Sequence, residues 1–328
     1  MNSILTYFSQ SSSMKDRLSW LVYLCLAVFA LSSCGQNKNQ ELVQNAPLIS
    51  QAYTDDTGRQ IALPQAPKRV VSIAPNITEM IFAIGGQEKL AARSQACDYP
   101  EETADFPSVT TYPELSLEEI KATEGDLIIT TDEIFSPDKV DRISQLGMPI
   151  YLQRYQKLSD VYRCLRDLGK LLQQTEQANQ LADSLQLLDA KITAATEGEV
   201  KYGTLILVSA YPEIIVVGGK GFLNELIQKS GGRNLFADKD EAYYKSSVEE
   251  ILSRNPEYLI LPSGNDQVYA ELINQYPALY NTSADKNKQV HVVNPDYFYR
   301  PGPRMLEGLM QLTHILHNQL SREYFLGN

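Results

Sequence analysis

Tryptophan is nearly absent: the one residue, Trp20, lies in an N-terminal apolar stretch, so aromatic chemistry falls on 19 tyrosines and 9 phenylalanines. Histidine is as scarce, with three in 328 residues. His314 and His317 stand three apart on a closing helix, read as solvated or packed there, and His291 opens a strand. None sits in a loop beside carboxylates at ligand spacing, which argues against a metal centre. Positive charge is in deficit: 29 Lys plus Arg against 40 Asp plus Glu leave a formal net charge of −11. That balance excludes a nucleic-acid partner, which needs clustered cations. Two catalytic signatures are missing. Gly218-Gly219-Lys220-Gly221 lacks the spacing and the Ser/Thr of a phosphate loop, and no G-x-S-x-G elbow occurs. The four cysteines make no disulfide framework. Cys25 lies in the apolar stretch and Cys34 after it; Cys97 and Cys164 fit a bridge in an oxidising compartment, or better, two buried thiols.

The apolar stretch itself, Trp20 to Leu31 after Met14-Lys15-Asp16-Arg17, is too short to span a bilayer and suits a signal h-region. Leu31-Ser32-Ser33-Cys34 comes next and resembles the lipobox of bacterial lipoproteins. The resemblance implies a signal peptide over residues 1–33, with translation starting at Met1 or Met14, and a lipidated Cys34 as the first mature residue. The protein would then sit in the periplasm, held to a membrane by its lipid. Residues 34–68 read as a Gln/Asn-rich tether with a short strand around Tyr53 to Leu63 and a turn at Asp55-Asp56-Thr57-Gly58.

The rest is organised around Ser159 to Glu197. This stretch has no proline, and its only glycine is Gly169. Val161, Leu165, Leu168, Leu172, Leu181, Leu185, Leu188 and Ile192 recur in steps suited to one helical face. Ser159 is a candidate N-cap, Gly198 a stop, and Thr175-Glu176 a restart after a bend. Unbroken, the helix would be roughly 55 Å long at about 1.5 Å per residue. Two similar halves flank it, residues 69–158 and 199–328, each alternating short buried strands with helices. Alternation of that kind makes a parallel sheet covered on both faces. In the first half Asn76 or Thr78 is placed as a helix cap, and Ser136 as the cap of a helix to Gly147. Ser116-Leu117-Glu118-Glu119-Ile120 before Asp126-Leu127-Ile128-Ile129 matches Ser247-Val248-Glu249-Glu250-Ile251 before Glu257-Tyr258-Leu259-Ile260. The expected fold is therefore α/β, two Rossmann-like lobes joined by a single long rigid helix spanning 159–198, with a ligand cleft between the lobes.

Arg69 to Glu79 (RVVSIAPNITE), Cys97-Asp98-Tyr99-Pro100, Ser116 to Ile120 and Gly231-Gly232-Arg233-Asn234-Leu235-Phe236 resemble periplasmic vitamin B12-binding proteins. These are the substrate-binding components of ABC importers for cobalamin and ferric siderophores. The resemblance covers about Arg69 to the C-terminus. It implies a monomeric binding protein rather than an enzyme, with cobalamin or a related corrinoid as transported ligand, no cofactor, and an ABC permease and ATPase as partners. Pro75 and Asn76 would form the cleft floor. Tyr112 and Tyr243 would stand where cobalamin binders carry aromatic rings against the corrin, and Asp296, in a segment with Tyr297 and Arg300, where they carry an acid near the ligand. Tyr211 joins this set from its position after a strand. Glu118 and Glu249 would dock on permease arginines. Two departures bear on the ligand: tyrosine replaces tryptophan at Tyr112 and Tyr243, and Ala96 stands where a pocket tyrosine is expected. A tyrosine cleft also suits an aryl siderophore or haem. A cleft enzyme using Asp98, Glu133 and Asp296 as acid/base groups is the alternative of a different class.

Overall fold

The computed structural model describes residues 51–63, 65–135, 137–145 and 147–327. The apolar stretch, Cys34 and Ser136 lie outside them, so the lipobox and the Ser136 cap are not addressed by the fold. The described chain opens with a hairpin, β1 (Gln51–Thr54) against β2 (Gln60–Leu63), close to the expected short strand. Asp55 closes its turn, the carboxylate accepting from the backbone of Thr57 and Arg59 at 3.0 Å each. Asp56 ties the turn to the first half by accepting from the Arg154 backbone at 2.7 Å and from the Arg163 guanidinium.

The first half builds a wholly parallel sheet. Its strands are β3 (Val70–Ser72), β4 (Leu90–Ser94), β5 (Ser108–Val109), β6 (Leu127–Thr131) and β7 (Ile150–Gln153), in the order β5-β4-β3-β6-β7. Strand periodicity explains why these runs read as continuously apolar. Val70, Leu127 and Ile129 enter one core, while Val71 and Ile128 enter another on the opposite face. Three helices accompany the strands: α1 (Pro75–Ala83), α2 (Leu117–Ala122) and α3 (Pro137–Ser144). The expected cap of α1 is corrected. Its N-cap is Ala74, with no side-chain bond, and Pro75 takes the first turn, where its missing N–H costs nothing.

The single spine is also corrected. Residues 159–198 hold two helices, α4 (Leu158–Leu171) and α5 (Thr175–Thr196), folded back on each other as a hairpin. Gln173 turns the chain with φ +58. A Cβ at Gly169 would lie 2.4 Å from the Ala178 Cβ, so only glycine permits this approach. Arg166 bridges the two helices to Asp183 at 2.5 Å and Gln186 at 2.6 Å. The restart expected at Thr175-Glu176 is where α5 begins; the apolar stripe has the same period in a straight or a folded helix, which is why it did not show that the bend is a full reversal. The cap differs too: α4 starts at Leu158 after Lys157, with Asp160 accepting from the Lys157 backbone at 2.9 Å.

The second half contains β8 (Tyr202–Ser209), β9 (Ile215–Val217), β10 (Gly232–Asn234), β11 (Tyr243–Lys245), β12 (Tyr258–Pro262) and β13 (Val290–Val293) in one six-stranded sheet. Here β8, β10, β12 and β13 run parallel, but at one edge β9 pairs antiparallel with β8 and β11 antiparallel with β9. Its helices are α6 (Gly221–Lys229), α7 (Val248–Arg254), α8 (Val268–Gln275), α9 (Ser283–Lys286), α10 (Asp296–Tyr299), α11 (Met305–Leu316) and α12 (Arg322–Leu326). The duplicated segment is borne out. Ser116 caps α2 by accepting from Glu119 N at 3.3 Å, and Ser247 caps α7 by accepting from Glu250 N at 3.2 Å.

One apolar cluster joins the halves. Ile77 and Met80 of α1, Leu165 and Leu168 of α4, Leu226 of α6 and Leu309 of α11 all belong to it. A shared core of this kind opposes a swinging hinge, because opening it would expose buried apolar area at about 25 cal/mol per Å². Among the described residues no helix is long and apolar enough to cross a membrane.

Candidate functional site

Parallel strands bring their carboxyl ends to one edge of a sheet, and the segments leaving those ends carry the chemistry. From the first sheet come Asn76 after β3, Asp98-Tyr99 after β4, Tyr112 after β5 and Asp132-Glu133 after β6. From the second come Tyr211 after β8 and Asp296 after β13.

Ion pairs show that the two edges meet. Glu79 on α1 is only 4% exposed, and its carboxylate accepts from Arg304 Nη2 at 2.5 Å and Nε at 2.9 Å, and from Arg300 Nη1 at 3.3 Å. Arg300 also donates to Asp98 at 2.6 Å and pairs through Nε with Asp296 at 3.1 Å. Arg304 reaches Asp296 at 3.3 Å and lays its guanidinium 3.8 Å from the centre of the Tyr99 ring. The hydrogen bond from Arg300 is the main reason the Asp98 carboxyl lies below its ordinary pKa. Burial works against the charge of Arg300, but the bond to Asp98 and the Asp296, Asp98 and Glu79 carboxylates outweigh it and raise its pKa.

A cavity of about 780 Å³ takes walls from both halves, including Glu133, Tyr155, Lys157, Phe222, Asn224 and Tyr243. Burial, then the neighbouring Asp132, raises the Glu133 carboxyl above its usual pKa. Burial, then Glu133, does the same for the Tyr243 phenol. The volume falls in the range of small-molecule pockets.

The expected site residues divide into three groups. Tyr243 lines the cavity. Asn76, Asp296 and Arg300 gather at the inter-half cluster, with Pro75 half-buried beside Asn76 at the start of α1. Tyr112 and Tyr211 stand in water, 79% and 77% exposed. Two expectations need correction. The Asn76 side chain is buried and donates to the Pro301 carbonyl at 3.2 Å, so its amide closes the halves instead of facing a ligand. Tyr297 is half-buried against the shared core, where a Cβ at Gly308 would meet its carbonyl at 2.6 Å. It packs α10 on α11. Nearby Tyr299 donates to the Val208 carbonyl at 3.3 Å, and its phenol is raised by burial and then by Tyr243.

Glu79, Tyr99 and Arg304 were missed as site residues. Arg300 and Arg304 flank Pro301-Gly302-Pro303, a non-helical link between α10 and α11, so no helical period marked them as a pair with Asp296. As acid/base candidates, Asp98 and Asp296 are both engaged by arginine.

The two proposed docking acids are distinguished from their neighbours. Glu119 accepts from Thr110 N at 2.6 Å, and Glu250 pairs with Lys239 and Arg254, both at 2.9 Å. Glu118 and Glu249 are exposed, one in each half, at equivalent places in the duplicated segment.

The histidines are solvated or packed, as expected of His314 and His317. His291, His314 and His317 line one cavity of about 570 Å³ with Glu199, Tyr202 and Tyr258. It lies by the amino-terminal ends of β8 and β12, at the far end of the sheet from the cleft. His317 is buried and His314 exposed. Among the described residues no three His, Cys, Asp or Glu could hold a metal ion. Cys97 and Cys164 are free buried thiols, and burial pushes the Cys164 thiol well up.

Residues 70–297 match the periplasmic binding protein family. A vitamin B12-binding protein of Vibrio parahaemolyticus is 31% identical over 252 residues, which is 75% of this chain and 88% of that protein. An uncharacterised ABC transporter substrate-binding lipoprotein of Bacillus subtilis is 24% identical over 94% of this chain and its own full length. The crystal structure of a periplasmic heme-binding protein from Pseudomonas aeruginosa superposes with a TM-score of 0.69 at 25% identity. It covers 77% of this chain and 93% of that one.

Proposed function

The chain belongs to the periplasmic binding protein family, and from that premise we propose that it binds cobalamin, or a related corrinoid, and delivers it to an ABC importer. The lobes would be residues 69–158 and 199–328, on either side of the helical hairpin. The observation that carries the reading is the exposure of Tyr112 and Tyr211 at the carboxyl ends of both sheets. Apolar rings left in water at such edges are a surface for stacking a large flat ligand. They lose little side-chain entropy on binding. Tyr243 would add a third ring from the cavity wall, and Asp296 and Arg300 a polar edge. The identity to a B12-binding relative supports a corrin in particular.

Haem is the second reading, favoured by the same tyrosines, because a phenolate can ligate ferric haem iron. Equilibrium dialysis against cyanocobalamin and against haemin separates the two. Retention of cyanocobalamin alone supports the corrin, and retention of haemin alone replaces it.

Delivery would use Glu118 and Glu249, which are free to meet basic side chains on a permease. Reversing both, Glu118→Lys with Glu249→Lys, should abolish stimulation of the importer's ATPase and leave the ligand Kd unchanged. A weakened Kd would instead mean that the change disturbs the fold. Anchoring would be by lipid on Cys34, as in the lipoprotein relative of Bacillus subtilis. Metabolic labelling with a fatty acid, lost in Cys34→Ser, tests it.

A further inference from the structure

We infer that Asp98, Asp296 and Glu133 make the cleft selective for ligand charge, so that it takes a neutral macrocycle fringed with amides and turns away one fringed with ionised carboxylates. The inference rests on the proposed corrinoid reading and deepens it. The two guanidiniums at the cleft are already neutralised. Arg304 gives Nε and Nη2 to Glu79 and packs its face on Tyr99, while Arg300 serves Asp98, Glu79 and Asp296. Three carboxylates thus face two cations, and the cluster carries one net negative charge before any ligand arrives. A ligand carboxylate approaching Arg300 would either add a fourth negative charge against two cations or displace Asp98, whose side chain is 65% exposed and the most yielding of the three. The displaced charge would remain beside it.

A carbonyl oxygen meets no such competition. Arg300 Nη2 makes no hydrogen bond among the described residues and can donate to an amide. The carboxylates and phenols around it can accept from an amide N–H. The cavity gives an anion little help. Lys220 is paired with Asp240 at 2.7 Å, and Glu225 accepts from Leu158 N at 2.7 Å. Exposed Lys157 shares the wall with Glu133, and the raised Glu133 carboxyl marks a place where negative charge is already disfavoured. Discrimination of this kind works by leaving the wrong ligand's charge unmatched.

The test compares, by calorimetric titration, cyanocobalamin with the derivative in which one peripheral propionamide is hydrolysed to a carboxylate. The inference predicts about tenfold weaker binding of the carboxylate, as expected for one unmatched charge, and a smaller gap at high salt. Asp98→Asn, and separately Glu133→Gln, should narrow the gap between the two ligands. Equal affinity for both by the wild-type protein would overturn the inference and leave the corrinoid reading standing. Tight binding of haemin with no binding of either corrinoid would overturn both. A gap that neither variant narrows would remove these carboxylates as its cause, and the inference with them.

Discussion

Two sets of side chains meet the cleft on opposite terms. Glu79, Arg300 and Arg304 are buried or nearly so, and Glu79 is held on both oxygens. Tyr112 and Tyr211 are almost fully in water. The first set binds one half of the molecule to the other, and its energy is committed before a ligand arrives. The second contributes little to the folded state and is free to act on a ligand. Stability and recognition are thus separable here by mutation, although both sets lie at the carboxyl edges of the same two sheets.

The largest expected effect breaks the first set. Glu79→Ala leaves two guanidiniums without their central partner, and removing one member of a buried pair costs about 3–5 kcal/mol. In a body of this size that lowers Tm by roughly 6–20 °C, measurable by calorimetry. An unchanged Tm would show that the cluster does not join the halves. Tyr112→Ala and Tyr211→Ala should do the reverse. Stability stays within about 0.5 kcal/mol, as for other exposed positions, while ligand affinity falls by about tenfold for each ring lost. A large Tm loss with intact affinity would contradict the division.

The smallest effect concerns acid. Arg300 holds the Asp98 carboxyl below its ordinary pKa, so the pair stabilises the fold fully above the unfolded value of about 3.9 and loses that contribution as pH falls through the lower native one. Because Asp98 is largely exposed, the contribution is only about 0.2–1 kcal/mol. The stability difference between wild type and Asp98→Asn should therefore be constant near neutrality and shrink below pH ~4. A difference that persists at lower pH would rule out the ionised pair as its source.

How much could be read in advance depends on the range of each interaction. The caps Ser116 and Ser247, the central buried strands β3, β6, β8 and β12 and the two-half plan are local patterns that repeat within a few residues and were legible, whereas β4 and β10 were not read as strands. The restart at Thr175 was legible as well, but the full reversal at Gln173 was not, since a folded and a straight helix share one apolar period and the deciding contact is Gly169 against Ala178. The edge strands β9 and β11 were missed because each is only three residues long and β11 lacks a buried apolar run. Glu79 could not be paired with Arg304 across 225 positions, because long-range partners leave no periodic trace. Asn76 carried the right position with the wrong task, its amide turning to the Pro301 carbonyl.

Calorimetric titration of the protein with cyanocobalamin, run in parallel with a ferric catecholate siderophore, tests the central claim most directly. The account predicts saturable one-to-one binding of cyanocobalamin, weakened in Tyr112→Ala and in Tyr211→Ala, with no heat of binding from the siderophore. Saturable binding of the siderophore with silence from cyanocobalamin would contradict it.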